Sequence, residues 1–202
     1  MTPTEFNASL AGVMSVERTE IATVDRALAK HGLRQLARGR YRPDISLREG
    51  VQLICAWAAA KSLTLAADDV QRLERCIPQV TTASDYEYTG HKNSRFPELF
   101  GREEFELEGV NFLDVTSMLA SQLAAEQFPA NRVWISLEKG GVPGIEYDAD
   151  FTTQYLRFSC FPKTFSLKQK TVSKPESAIN VKVTTSINGA VLKWIHEVTE
   201  GV

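Results

Sequence analysis

The stretch VWISLEKGGVPGIEY, Val133 to Tyr147, decides the fold class. Apolar side chains alternate at Val133, Ile135 and Leu137 and resume at Ile145 and Tyr147. A period of two places such a set on one face of a strand. Between the two runs, Lys139-Gly140-Gly141-Val142-Pro143-Gly144 interrupts strand geometry and reads as a hairpin turn. The same alternation predicts strands at Leu156/Phe158/Cys160, at Phe165/Leu167 and at Ile179/Val181/Val183. Asn188-Gly189 then closes the sheet region. A helix over Asn111 to Glu126, with Phe112, Val115, Leu119 and Leu123 on one face, precedes the strands. An amphipathic helix over Ala190 to Glu200 follows them. The expected arrangement is an antiparallel sheet with two covering helices.

Upstream the period changes to that of helices. Ser15 is placed to cap a helix carrying Ile21, Val24 and Leu28, which Gly32 ends by accepting a left-handed conformation. A short helical piece, Leu33 to Ala37, is expected next. Arg38 to Asp44 reads as a loop, because Gly39 loosens the backbone and Pro43 disfavours helix at Arg42. Ser46-Leu47-Arg48-Glu49 is a capping box that starts a strong helix to about Lys61. Thr64 caps a further helix to about Ile77, with Val70 and Leu73 inward and Pro78 marking its end. This unit is compatible with helix-turn-helix architecture. Residues 79–109 lack sustained periodicity. The reading is therefore α+β with residues 1–80 as a small helical domain, 81–109 as an acidic linker and 110–202 as an α+β domain.

Composition bounds the function classes. The 202 residues hold 23 Lys/Arg and 25 Asp/Glu, a formal net charge of −2, and 43% are hydrophobic. These are ordinary values for a soluble globular protein, and they exclude a protein basic all over. Charge is instead segregated. Arg26 to Arg42, RALAKHGLRQLARGRYR, contains six Lys/Arg and no acid, while residues 84–109 carry seven acids against three bases. A local cationic block beside a tyrosine has the character of a polyanion footprint. Lys30, Arg34 and Arg38 are spaced by four: one exposed stripe if helix persists through Gly32, whereas if Gly32 breaks it Arg34 and Arg38 sit on the short second piece. With Arg40, Tyr41, Arg42 and Arg48 they form the candidate nucleic-acid contact set. The blander alternative is a solvated face and loop paired with the acidic segment.

No catalytic or metal motif appears. His31, His91 and His196 are isolated, and there is no HExxH, CxxC or His-x-His arrangement. Gly140 to Gly144 lacks the following Lys-Ser/Thr of a phosphate loop. Neither a metal nor another cofactor is expected, and the chain reads as non-enzymatic. Glu146, Asp148 and Asp150 alternate on one strand face, suited to a divalent ion, a basic partner or plain solvation. Trp134 and Tyr155 fall on the sheet face opposite Ile135 and Leu156. If no helix covers that face, they are a patch for a protein partner or a homodimer contact. Cys55, Cys76 and Cys160 fit neither a disulfide framework nor a zinc site. With no signal-like start and no long apolar run, the expected setting is a reducing cytoplasm without a membrane partner.

RGRYRPDISLREGVQLICAWAA (Arg38 to Ala59) and TTSINGAVLKWIHEV (Thr184 to Val198) resemble the corresponding parts of uncharacterised proteins from phages and prophages of proteobacteria. In those, a glycine-arginine loop precedes a capped helix, and a strand, a glycine turn and a helix end the chain. The resemblance implies a mobile-element origin, a setting of small regulators, packaging factors and inhibitors of host defence. The leading expectation is a DNA-binding regulator acting through the basic N-terminal loop. The second is a protein-binding module, such as an inhibitor of a host defence or nucleic-acid-processing complex.

Overall fold

The computed structural model describes residues 1–35, 43–78, 110–149, 152–160 and 183–201. Helices α1 (Pro3–Met14), α2 (Arg18–Lys30), α3 (Leu47–Ala59) and α4 (Ala66–Leu73) precede strand β1 (Cys76–Pro78). Helix α5 (Phe112–Ala124) leads into β2 (Val133–Glu138), β3 (Pro143–Ala149) and β4 (Thr152–Cys160), and β5 (Thr184–Asn188) runs into α6 (Gly189–Glu200). The five strands form one antiparallel sheet in the order β1-β4-β3-β2-β5. The protein is α+β, with an N-terminal helical region. No helix among the described residues is long and apolar enough to cross a membrane.

Local chemistry accounts for most of the boundaries. The Ser46 Oγ accepts the Glu49 amide, and the Glu49 carboxylate accepts the Ser46 amide at 3.0 Å, the reciprocal capping box of α3. Asn111 and Asp114 cap α5 in the same reciprocal way, and the Asn188 side chain accepts the Ala190 amide at the start of α6. Gly32 has φ of +70° just beyond α2, which lets Leu33 N–H reach back to the Leu28 carbonyl.

Several expectations are corrected. Helix α1 was not anticipated, and Ser15 is its left-handed C-cap (φ 54°), while Glu17 takes the N-cap position of α2. Residues 33–35 are not helical. The helix expected to reach Ile77 ends at Leu73, because Cys76–Pro78 peel off to pair with β4. Of the strand expected at Ile179/Val181/Val183, positions 179–182 lie outside the described residues, and β5 is described from Thr184. It lies at the edge of the described sheet and buries only Ile187, so it has little apolar alternation to read. The expected strand at Phe165/Leu167 falls outside the described residues.

The core runs across the expected domain boundary at residue 80. Helix α3 packs on α2, α4, α5, α6, β2 and β5, and one apolar cluster joins Phe6, Ile21 and Leu53 to Phe112, Ile135 and Leu192. The sheet is thus covered by α5, α6 and also α3. Nine of the 13 residues of α3 are buried. Close approach is needed at Gly50, where a Cβ would lie 2.7 Å from Ile195 Cγ2 and 3.1 Å from Phe6 Cζ. Arg72 fastens the layers further, pairing with Asp69 at 3.1 Å and donating to the Gly141 carbonyl in the β2–β3 turn.

Cysteine usage is also corrected. Cys76 and Cys160 face each other in the β1–β4 register and form a disulfide across 84 residues of sequence. Sheet pairing, not sequence spacing, brings them together. Disulfides are rare in reducing compartments, so cysteine usage no longer argues for the cytoplasm. Cys55 is a free thiol inside α3, and burial pushes its pKa up.

Two stability outcomes follow. Gly50→Ala should destabilise by about 1–3 kcal/mol in urea denaturation despite its better helix propensity, because the methyl overpacks the Phe6–Ile195 contact. A Cys76→Ser/Cys160→Ser variant should lose about 2–4 kcal/mol relative to the oxidised protein. In reductant most of that difference should disappear, leaving the smaller cost of a hydroxyl at the buried Cys76 position.

Candidate binding face

With α3, α5 and α6 on one side of the sheet, pleating sends alternate residues to the other. Register then determines which of these meet. Trp134 on β2 stands opposite Glu146 on β3, which stands opposite Tyr155 on β4. The adjacent row on the same face is Ser136, Gly144 and Arg157, and between the two lies the core-facing row Ile135, Ile145 and Leu156. Trp134 is 40% exposed and Tyr155 56% exposed. Among the described residues no helix packs on this side, because the helices that touch β2 and β5 belong to the core cluster with Ile135 and Ile187. The open-face reading of Trp134 and Tyr155 rather than burial beneath a helix is the one these residues take.

Gly144 has no side chain to fill its place in the second row. A shallow depression of about 300 Å³ results, lined by Ser136, Val142, Pro143, Glu146, Tyr155 and Arg157. Ser136 Oγ comes within 3.0 Å of where a Cβ on Gly144 would stand. The face is acidic on balance. Glu138, Glu146 and Asp148 share it with Arg157, by the alternation of β2, β3 and β4. Glu146 is half-buried and makes neither a hydrogen bond nor an ion pair among the described residues. Sequence reading picked out Trp134, Glu146 and Tyr155 but missed Ser136, Gly144 and Arg157. Their signal is the hairpin register, which alternation within single strands does not contain.

The N-terminal candidates sit elsewhere. Helix α2 packs on α1, α3, α4 and the turn Leu63–Leu65, within the helical layer. Lys30 is exposed at the end of α2. Arg34 is not free: its guanidinium pairs with Asp25, their side chains only 11% and 14% exposed, and Asp25 also accepts the Asn7 side-chain amide at 2.9 Å. Arg48 is engaged too, pairing with Asp114 on α5 and, at 3.7 Å, with Glu74 beyond α4. Of the two arrangements open to Lys30, Arg34 and Arg38, the single helical stripe is excluded because α2 ends at Lys30. Arg38, Arg40, Tyr41 and Arg42 lie outside the described residues, as do His91 and Asp150. His31 is exposed and His196 half-buried. Among the described residues no group of three or more His, Cys, Asp or Glu is placed to hold a metal ion.

No family model, curated protein or solved structure matches the chain.

The engaged arginines make a measurable distinction. Asp25→Ala strands the Arg34 guanidinium and the Asn7 amide in a poorly solvated site, and should cost about 3 kcal/mol in chemical denaturation. Lys30→Ala, at an exposed position, should stay within about 0.5 kcal/mol of the parent.

Proposed function

We propose that the chain is a non-enzymatic protein-binding module whose working surface is the open sheet face, and that its partner presents positive charge. The observation that supports this is the row Trp134, Glu146, Tyr155: two exposed aromatic rings flanking a carboxylate without a partner among the described residues. Exposed aromatics grouped on a rigid sheet have the character of interface anchors, since they bring large contact area at little conformational cost. The Glu146 carboxylate sets the sign of the partner. The resemblance to phage proteins supplies a class of partner. A nucleic-acid-processing or defence protein has a cationic groove, which carboxylates can occupy in place of phosphates.

Nucleic-acid binding through the N-terminal basic stretch is the second reading. It is favoured by the exposure of Arg26, Lys30 and His31 at the end of α2, leading toward Arg38, Arg40 and Arg42. Arg34 and Arg48 contribute less to it than sequence spacing promised, since both are neutralised by carboxylates.

One experiment separates the two. The intact protein and a Trp134→Ala/Tyr155→Ala variant of unchanged circular dichroism are used as bait in nuclease-treated host lysate. The first reading expects a stoichiometric basic protein held by the parent and weakened at least about thirtyfold in the variant. Equal retention by both baits would overturn it. For the second reading, DNA affinity should fall steeply with salt and flatten in Arg38→Ala/Arg40→Ala/Arg42→Ala. Salt-independent binding, or no change in that variant, would sink the DNA interpretation.

A further inference from the structure

The row Trp134, Glu146, Tyr155 has the chemistry of a slot for one flat cation. We propose that it takes an arginine side chain of the partner, with the guanidinium between the two rings and its N–H groups on the Glu146 carboxylate. The inference rests on the protein-binding reading above and names the group that the face selects.

Three features carry it. First, the spacing: Trp134 and Tyr155 lie on strands either side of β3 and stand in one register row. Strands about 4.8 Å apart therefore raise the two side chains from points about 10 Å apart. A gap of that width has room for one planar group stacked about 3.5–4 Å from a ring on either side, the distance of close carbon contact. Second, the chemistry at the floor: Glu146 stands between Trp134 and Tyr155 in the register row and has no hydrogen bond or ion pair among the described residues. A carboxylate accepts the guanidinium fork bidentately, and the faces of Trp and Tyr attract the same cation through their quadrupoles. Third, the neighbouring row: beyond the slot the depression over Gly144 offers room for a peptide backbone, with Val142 and Pro143 as apolar wall. Arg157 stands there as a donor for a carbonyl or carboxylate of that peptide, while the Ser136 hydroxyl already donates to the Gly144 carbonyl at 3.4 Å.

Competing occupants fit less well. A phosphate in the slot would meet the Glu146 carboxylate at its floor. An aliphatic side chain would bury the Glu146 carboxylate without a partner, which is costly. Lysine shares the charge of arginine but lacks the flat fork that both the rings and the carboxylate use.

The full-length, oxidised protein is titrated in an NMR experiment with a short acetylated peptide carrying one central arginine among glycines and serines. Matched peptides carry lysine, or citrulline, which keeps the shape of arginine without its charge. The Trp134 indole N–H signal, assigned by its loss in Trp134→Phe, should shift with the arginine peptide. The citrulline peptide should bind at least about tenfold more weakly, as should the arginine peptide to Glu146→Gln. Lysine should fall between. Equal binding of the arginine and citrulline peptides, or no effect of Glu146→Gln, would overturn the arginine slot. If Trp134→Ala/Tyr155→Ala still loses the lysate partner while Glu146→Gln retains it fully, the slot is refuted and the protein-binding module stands. If that double variant keeps the partner, the reading on which the slot rests has failed.

Discussion

Helix α3 is buried on two sides at once, and the rest of the architecture depends on that constraint. One side meets α2 and α4, and the other meets β2, β5, α5 and α6. A helix in that position has to be apolar nearly all round and narrow enough for its neighbours to close on it. Leu53, Ile54 and Val51 meet the first demand; Gly50, Ala56, Ala58 and Ala59 meet the second. Phe6 of α1 and Ile195 of α6 both reach the Gly50 surface, so the two ends of the described chain are joined through one glycine of α3. Because α3, α5 and α6 crowd one side of the sheet, the opposite side is free of described helices. The candidate site is a consequence of where the core lies.

Charge follows the same logic. Arg34, Arg48 and Arg72 each link segments that are distant in sequence or belong to different layers: Arg34 to α2, Arg48 to α5 and the end of α4, Arg72 to the β2–β3 turn. An arginine held this way has much of its field cancelled by the partner carboxylate or used by a carbonyl. Its value to the fold comes chiefly from the penalty of leaving the other partner unpaired. Asp69 shows the competing pressure, since burial pushes its carboxyl pKa up while Arg72 pulls it down. Against this background Glu146 stands out. It keeps a carboxylate on the sheet surface with no partner among the described residues, between two rings that attract cations.

Legibility varied with how local the cause was. The cap of α3, the strands around Ile135, Ile145 and Phe158, and the glycine stop after α2 all follow from residues within one turn or one strand. They were readable because hydrogen-bonding side chains and alternation act over a few positions. Helix α1 escaped because its apolar signal is sparse, with only Phe6, Leu10 and Ala11 as buried hydrophobic residues. Strand β1 escaped because Cys76–Pro78 is short and continues an apolar helical pattern; only pairing with β4 makes it a strand. The arginines were read as a free cationic stripe because their partners, Asp25 and Asp114, come from α2 packing and from residues far along the chain.

By itself, then, the amino-acid sequence determined the periods, the caps and the turns, and with them an α+β chain with helices before and around an antiparallel sheet. It also singled out Trp134, Glu146 and Tyr155 as residues facing away from the core side of their strands. The tertiary structure alone decided that Cys76 meets Cys160, that one core crosses from the helices to the sheet, and that those three residues form one row. The physical reason is that periodicity is a property of a single segment, whereas register and burial belong to pairs of segments. Only packing chooses among pairings that the local pattern leaves equivalent.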